Sequence, residues 1–292
     1  MPLSFLLRDA CPLCSAQASR VLCDLAFDDT PLGSFLRAFY GGRLDPARLA
    51  GGRYRVLECS ACGFVYQQEI LDDAGMDELY GEWVDQAQSL EKKRNMSDSR
   101  RRQYAGQVEL VWRLFARDPE QVRVLDFGMG WGYWCQAAQQ AGFDVSGFEL
   151  SQQRARHARE LGVKTLRSLA EAAAGFDFIF ANQVFEHLPD PLTTLRELAG
   201  CLREDGFVYL RVPDGRGLAR RLRREDWQPS MDAVHPLEHI NCFTRATLQR
   251  LASSAGLRPA SPPWRIRWSS PVASLRREIA DRCLTTHLLL RR

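Results

Sequence analysis

The period of the hydrophobic pattern changes repeatedly between residues 121 and 212. Short apolar runs at 122–127, 144–149, 164–167, 176–181 and 207–212 have the length of strands. The stretches between them, 131–140, 152–161 and 191–202, space their apolar residues as one face of a helix does. This alternation predicts βαβ units and a parallel sheet with helices on both faces, a doubly wound, Rossmann-like α/β fold. A further helix is expected over 244–255 and a strand over 264–268.

Upstream the pattern differs. Leu79, Trp83 and Leu90, then Val108, Leu110, Val111 and Leu114, give 72–118 a helical period. The first 68 residues read as loops with a helical excursion over 28–49, and with too few apolar residues for a core of their own. The chain is thereby divided into a small metal-binding module (1–70), a helical connector (71–120), an α/β cofactor-binding domain (121–270) and a basic, amphipathic, helical tail (271–292).

Charge narrows the function classes. Thirty-nine basic against 36 acidic residues leave +3, without the global positive field expected of an obligate nucleic-acid binder. No apolar run approaches the ~18 residues that cross a bilayer, and Arg8 and Asp9 interrupt the start where a secretory segment would continue. A cytoplasmic protein without a membrane partner is expected.

The nine cysteines include two close pairs, Cys11-Pro-Leu-Cys14 and Cys59-Ser-Ala-Cys62, 44 residues apart. Two thiolates two residues apart can grip one metal from a tight turn, and two such turns complete a tetrahedral four-thiolate site. Closed coordination leaves no position for substrate, so a structural zinc is expected. A redox dithiol would need a preceding strand and a βαβ context that this segment lacks.

The apolar run at 122–127 leads into Asp126-Phe127-Gly128-Met129-Gly130-Trp131-Gly132. Glycines after a strand and before a helix let backbone approach a ligand closely. Seventeen residues on, Glu149 ends the next strand, placed to accept both hydroxyls of a ribose. Asp126 separates the candidate ligands: a carboxylate is badly placed beside a pyrophosphate but suits a cationic amino-acid end, as S-adenosylmethionine has. The third glycine comes one residue too early for the dinucleotide fingerprint, which argues against a nicotinamide cofactor.

On these motifs the region 122–260 resembles a class I S-adenosylmethionine-dependent methyltransferase. LDFGMGWG is similar to the first motif of that family, GFELS to its second, FDFIFANQVFEHLPDP and LREDGFVYLRVP to later strands, and HINCFTRATLQRLASSAGL to a late signature of one bacterial branch. CPLC and CSACGFVY resemble the zinc-ribbon preface of the subgroup that includes sugar C-methyltransferases. The resemblance implies that Gly128 and Gly130, with the adjoining Phe127, lie under the methionine part of the cofactor. Glu149 would hold the ribose, Leu150 pack near adenine and Asn182 sit close to the methyl donor. Family members typically carry Cys where Met129 stands.

Methyl transfer needs an aligned acceptor and, for a hydroxyl or acidic C–H, a base of near-neutral pKa. His157 reads as a solvated helix residue and His287 as part of the tail. His187, after Glu186, follows the fourth strand. The resembling sugar enzymes place Tyr-x-Glu-His in a lid; here the matching run is Pro236-Leu237-Glu238-His239, with the tyrosine absent. His239 is the expected base, Glu238 its orienting carboxylate, and His187 a substrate hydrogen bond. His235 to His239 also spells HxxEH, but Pro236 argues against the helix that a zinc hydrolase needs. Arg216 to Arg224 form a basic run that suits either solvent or an anionic acceptor, and Trp227 and Tyr80 are candidate stacking surfaces. The sequence thus supports methyl transfer to a small molecule, a nucleotide-linked sugar or a secondary-metabolite intermediate among them. RNA methylation and a non-catalytic scaffold are the alternatives.

Overall fold

The computed structural model describes residues 3–115, 117–172, 175–262 and 286–292. The chain divides into two compact units built from discontinuous pieces. One comprises Met1–Glu91, Glu186–Pro191 and Pro213–Thr247; the other comprises Lys92–Phe185, Leu192–Val212 and Leu248–Arg292. This replaces the expected linear division, because the period along a segment shows its secondary structure and not which core it joins.

The second unit is built on a seven-stranded sheet. Its strands are β1 (Arg123–Phe127), β2 (Asp144–Phe148), β3 (Lys164–Leu166), β4 (Phe176–Asn182), β5 (Leu202–Arg211), β6 (Arg258–Ala260) and β7 (His287–Arg291). Their order is β6-β7-β5-β4-β1-β2-β3. β7 runs antiparallel to both its neighbours, and every other pairing is parallel. Six consecutive residues of β4, from Phe176 to Ala181, are buried, as a strand covered on both faces requires. Helices Tyr133–Gln140, Gln152–Glu160 and Pro191–Cys201 alternate with these strands. Trp134 stacks on Phe180 at 4.1 Å between centroids, fixing the first of those helices against the sheet.

Two expectations need correction here. Residues 287–291 form a strand and not the end of a helical tail, because Leu288, Leu289 and Leu290 pair with β5 and are buried. β5 starts at Leu202, ahead of the expected 207, with a register irregularity before Phe207. The strand expected at 264–268 and the tail to 285 lie outside the described residues.

The first unit carries an antiparallel four-stranded sheet in the order Asn241–Cys242, Val65–Gln67, Arg53–Cys59, Ser19–Ala26. A short ribbon pairs Phe5–Leu7 with Glu69–Leu71. Helix Leu32–Phe39 buries Leu32 and Leu36. Contrary to the expected shortage of apolar residues, this unit has a hydrophobic core. Phe27, Leu32, Leu36, Tyr40, Tyr54 and Val56 pack with Leu218, Leu222, Val234 and Leu237 from far along the chain.

Candidate functional site

In the second unit, β4, β1 and β2 lie side by side, and the strand order reverses between β1 and β4. The carboxyl edge at such a switch point is where doubly wound sheets take ligands. Gly128, Gly130 and Gly132 there have φ of 75°, 55° and 80°, the left-handed region that a Cβ penalises. Gly128 is also confined sideways, since a Cβ would lie 2.5 Å from Val184 Cγ2. The N–H groups of Gly128 and Met129 donate to the Phe148 carbonyl at 2.9 and 3.1 Å, tying the loop to the end of β2.

Glu149 completes that tie. Its Oε2 accepts from Gly130 N–H and its Oε1 from Ser151 N–H, both at 2.9 Å. A carboxylate has about four lone-pair sites, so each oxygen keeps one for a hydroxyl donor. Leu150 beside it is 79% exposed, an apolar side chain presented to solvent. Phe127 is buried and stacked on Phe148 at 5.5 Å, so its ring supports the loop from below.

Asp126 is buried, and burial pushes its carboxyl up to about 7. The Cys135 thiol, donating at 3.4 Å, opposes the shift; Glu149 adds to it and Lys93 counters it. Lys93 donates to Tyr104 Oη at 3.5 Å. Sequence reasoning missed both residues, which come from helices Gln86–Arg94 and Asp98–Leu114, outside any motif. Asn182, at the end of β4, has a buried Oδ1 with no hydrogen-bond partner among the described residues. An acidic group held out of water and an unmet amide oxygen fit the ammonium of S-adenosylmethionine, and a carboxylate with spare lone pairs fits its ribose hydroxyls.

In the first unit the four cysteines converge. Cys11 and Cys62 Sγ lie 3.6 Å apart, as do Cys14 and Cys59 Sγ. Thiolates around tetrahedral zinc at ~2.3 Å sit roughly 3.8 Å from one another, so the set is already near that geometry. The two turns close alike: Ser15 N–H donates to Cys11 O at 2.8 Å and Gly63 N–H to Cys59 O at 2.9 Å. Ser15 and Gly63 both have positive φ, 60° and 71°.

His187, His235 and His239 lie in the same unit as the cysteines, where the segment expected to be a lid is pinned and buried. His235 is 0% exposed and His239 7%. Gln67 Nε2 donates to the carbonyls of His235 and His239 at 3.1 and 3.0 Å, and Tyr54 Oη to that of Val234 at 2.7 Å. Arg8 donates to Asn241 Oδ1 at 2.8 Å and to the carbonyls of Gln67 and Ile240. The expected pairing of Glu238 with His239 is not what forms. Glu238 Oε1 takes the Tyr40 hydroxyl at 2.8 Å and lies 3.5 Å from His235 Nε2, while His239 Nδ1 donates to the Asp232 carbonyl at 2.5 Å. Leu237, at φ 71°, turns the backbone so that successive side chains diverge. Tyr40, from the N-terminal segment, thus puts its hydroxyl on Glu238.

His187 Nδ1 meets the Glu238 carbonyl at 2.9 Å and Tyr80 Oη at 3.3 Å. Burial, with His239 adding, holds His187 down to about 4, and burial also lowers His239, so both imidazoles are neutral near pH 7. Burial pushes Glu186 up to about 8. Glu238 goes the other way despite burial, because His235 and Tyr40 stabilise its charge.

The remaining candidates named for chemistry have partners within their own units. His157 is buried, its Nδ1 3.1 Å from the Trp131 carbonyl, which corrects the solvated reading. His287 stacks on Tyr209 in β7, and Trp227 on Tyr54. In the basic run, helix Leu218–Leu222 buries both leucines, while Arg216 and Arg224 pair with Asp214 and Asp226.

The strand order, the single antiparallel strand and the glycine loop at the switch point define a class I methyltransferase fold. A family model described as a methyltransferase domain matches residues 97–261, and the chain belongs to that family. The matched residues form an S-adenosylmethionine-dependent methyltransferase domain. The chain is similar to the ubiquinone biosynthesis O-methyltransferase of Bordetella avium, 36% identical over 98 residues that make 30% of this chain and 41% of that one. Its counterpart in Xanthomonas axonopodis is 28% identical over 51% of this chain and 71% of its own length. Among solved structures, a methyltransferase from Archaeoglobus fulgidus is 15% identical over 70% of this chain and 99% of its own, with a TM-score of 0.43. No helix of the described residues is long and apolar enough to cross a membrane.

Proposed function

We propose that the whole protein transfers the methyl group of S-adenosylmethionine to a hydroxyl oxygen of a small-molecule acceptor. The observation that carries the cofactor half is the tie of Glu149 to Gly130 and Ser151, with buried Asp126 one strand away. On the cofactor side, Asp126 and Asn182 face the amino-acid end, Gly128 and Gly130 give it backbone, Glu149 takes the ribose and Leu150 the adenine. The bound cofactor supplies an activated methyl group, and the protein's own part is to align it and manage the acceptor's proton.

For the acceptor, the similarity to ubiquinone biosynthesis O-methyltransferases favours oxygen. His187 and His239, each with Nδ1 on a backbone carbonyl, keep Nε2 lone pairs to take a proton. A nucleotide-linked sugar is the second reading. The resemblance to the group with Tyr-x-Glu-His supports it, and Tyr40 here places a tyrosine hydroxyl on the glutamate of the matching run. A net charge of +3 gives an RNA acceptor little support.

The test is calorimetric binding of S-adenosylmethionine, then methyl transfer from labelled cofactor to panels of phenols, catechols and nucleotide-linked sugars. Micromolar binding with turnover on one panel is the expected result; no binding removes the proposal. The four cysteines are proposed to hold one structural zinc. Because this unit has its own hydrophobic core, Cys59→Ser should lose the metal and lower its melting temperature without unfolding the second unit. Zinc-free protein with an unchanged melt in the parent would sink that assignment.

A further inference from the structure

Glu186, His187 and His239 form a cluster separate from the cysteine site, and one property of it stands out chemically. Glu186 is 0% exposed, yet neither carboxylate oxygen has a hydrogen-bond partner among the described residues. The ionised carboxylate is costly there, on the order of several kcal/mol, and either a proton or a bound cation relieves that cost. His187 Nε2 lies 3.9 Å from its Oε1.

The two histidines are presented as ligands are. His187 Nδ1 lies on the Glu238 carbonyl and His239 Nδ1 on the Asp232 carbonyl, so each ring carries its proton on Nδ1 and its lone pair on Nε2. A backbone carbonyl on the far nitrogen is the arrangement that sets tautomer and orientation in metal-bound imidazoles. The two rings lie 5.0 Å apart at 74°, and the three donor atoms, one from each residue, fall within 4.8 Å of one another. Donors around a metal at ~2.1 Å are roughly 3 to 3.5 Å apart, so uptake needs each to close in by about 1 Å. The supporting loop is held by Gln67, Arg8 and Asn241, whose Nδ2 donates to the Leu188 carbonyl at 2.6 Å.

We propose that Glu186, His187 and His239 bind a divalent first-row transition metal ion such as zinc, with at least one coordination position left open. Two neutral imidazoles and one carboxylate suit such an ion better than magnesium or calcium, which prefer all-oxygen shells. Three protein ligands are the number that leaves room for an exogenous oxygen. The inference rests on the proposed reaction only in what that oxygen would be, the acceptor's hydroxyl. It would make His239 a ligand in place of a base, with the bound hydroxyl acidified by the metal.

The test needs no turnover. Untagged full-length protein, stripped by chelator under reducing conditions, is reloaded with Co2+ or Zn2+. The parent is expected to bind a second equivalent that lacks the sulfur-to-cobalt charge-transfer band of the cysteine site and shows nitrogen and oxygen scatterers at the zinc absorption edge. Glu186→Gln and His239→Gln should each lose that equivalent and keep the thiolate band. Parent protein with sulfur scatterers alone overturns the proposal, as does full second-site loading in both variants. Should either variant fail to fold, the parent's edge spectrum decides by itself. Retained cofactor binding and turnover in metal-free protein would leave the methyl-transfer reading standing and restore His239 as the base.

Discussion

Gly147 in β2 has space for no side chain, because Met129 from the cofactor loop occupies it. A Cβ at position 147 would lie 2.1 Å from Met129 Sδ, 3.2 Å from its Cγ and 3.4 Å from Cys135 Sγ. Non-bonded heavy atoms settle at roughly 3.5 to 4.0 Å, so in Gly147→Ala the thioether must retreat by about 1.5 Å. Met129 is only 6% exposed and stands between Gly128 and Gly130, so its displacement is passed to the loop that Glu149 holds. One extra methyl in a packed core costs about 1 to 3 kcal/mol. Displacement of the loop should weaken S-adenosylmethionine binding by about tenfold, or 1.4 kcal/mol. Met129→Ala vacates the contested volume at a cost of about 2 kcal/mol or more. The double variant should therefore cost less than the sum of the singles by at least about 1 kcal/mol. Denaturant unfolding followed by tryptophan fluorescence, with calorimetry for the cofactor, completes the cycle. A Gly147→Ala effect within about 0.5 kcal/mol of the parent, or strict additivity, would show that this contact does not position the loop.

Three further outcomes follow from the site. Glu149→Ala removes two charge-assisted hydrogen bonds from the loop as well as the ribose acceptor, and should weaken cofactor binding at least ten- to a hundredfold, about 1.5 to 3 kcal/mol; an unchanged dissociation constant would refute the role. Asp126 has its folded pKa raised to about 7, so the native state holds the proton more tightly than the unfolded chain, and this group's contribution to stability falls as pH rises from about 4 to about 7. An ammonium beside it reverses the shift, so cofactor binding near pH 7 should release up to one proton; calorimetric enthalpies that do not depend on the buffer, or that depend on it equally in Asp126→Asn, would contradict this. Arg8→Ala removes the side-chain donor to the carbonyls of Gln67 and Ile240 and to Asn241 Oδ1, and should cost on the order of 3 kcal/mol in the first unit with cofactor affinity kept. Equal melting of the two proteins would remove Arg8 as the pin of the histidine segment.

Local rules made much of this protein legible in its sequence. Strand and helix alternation from 121 onward follows from short-range periodicity, and the glycine loop and Glu149 from the backbone conformations and ribose chemistry that a fixed spacing implies. The paired CxxC turns are equally local, since two residues determine the bite of each knuckle. Long-range packing decided the rest. Which core a segment joins depends on partners up to about two hundred positions away, as Tyr40 with Glu238 and Arg8 with Asn241 show. Leu288, Leu289 and Leu290 are a strand because β5 and β6 offer unpaired edges to them, not because of their own pattern. Lys93 reaches Asp126 from a helix with no motif, and Glu238 turns to Tyr40 and His235 because Leu237 bends the backbone between them and His239. Periodicity and spacing describe a chain's neighbours along its length. Burial, the partner of a carboxylate and the tautomer of a histidine depend on neighbours in space, and only the folded chain brings those together.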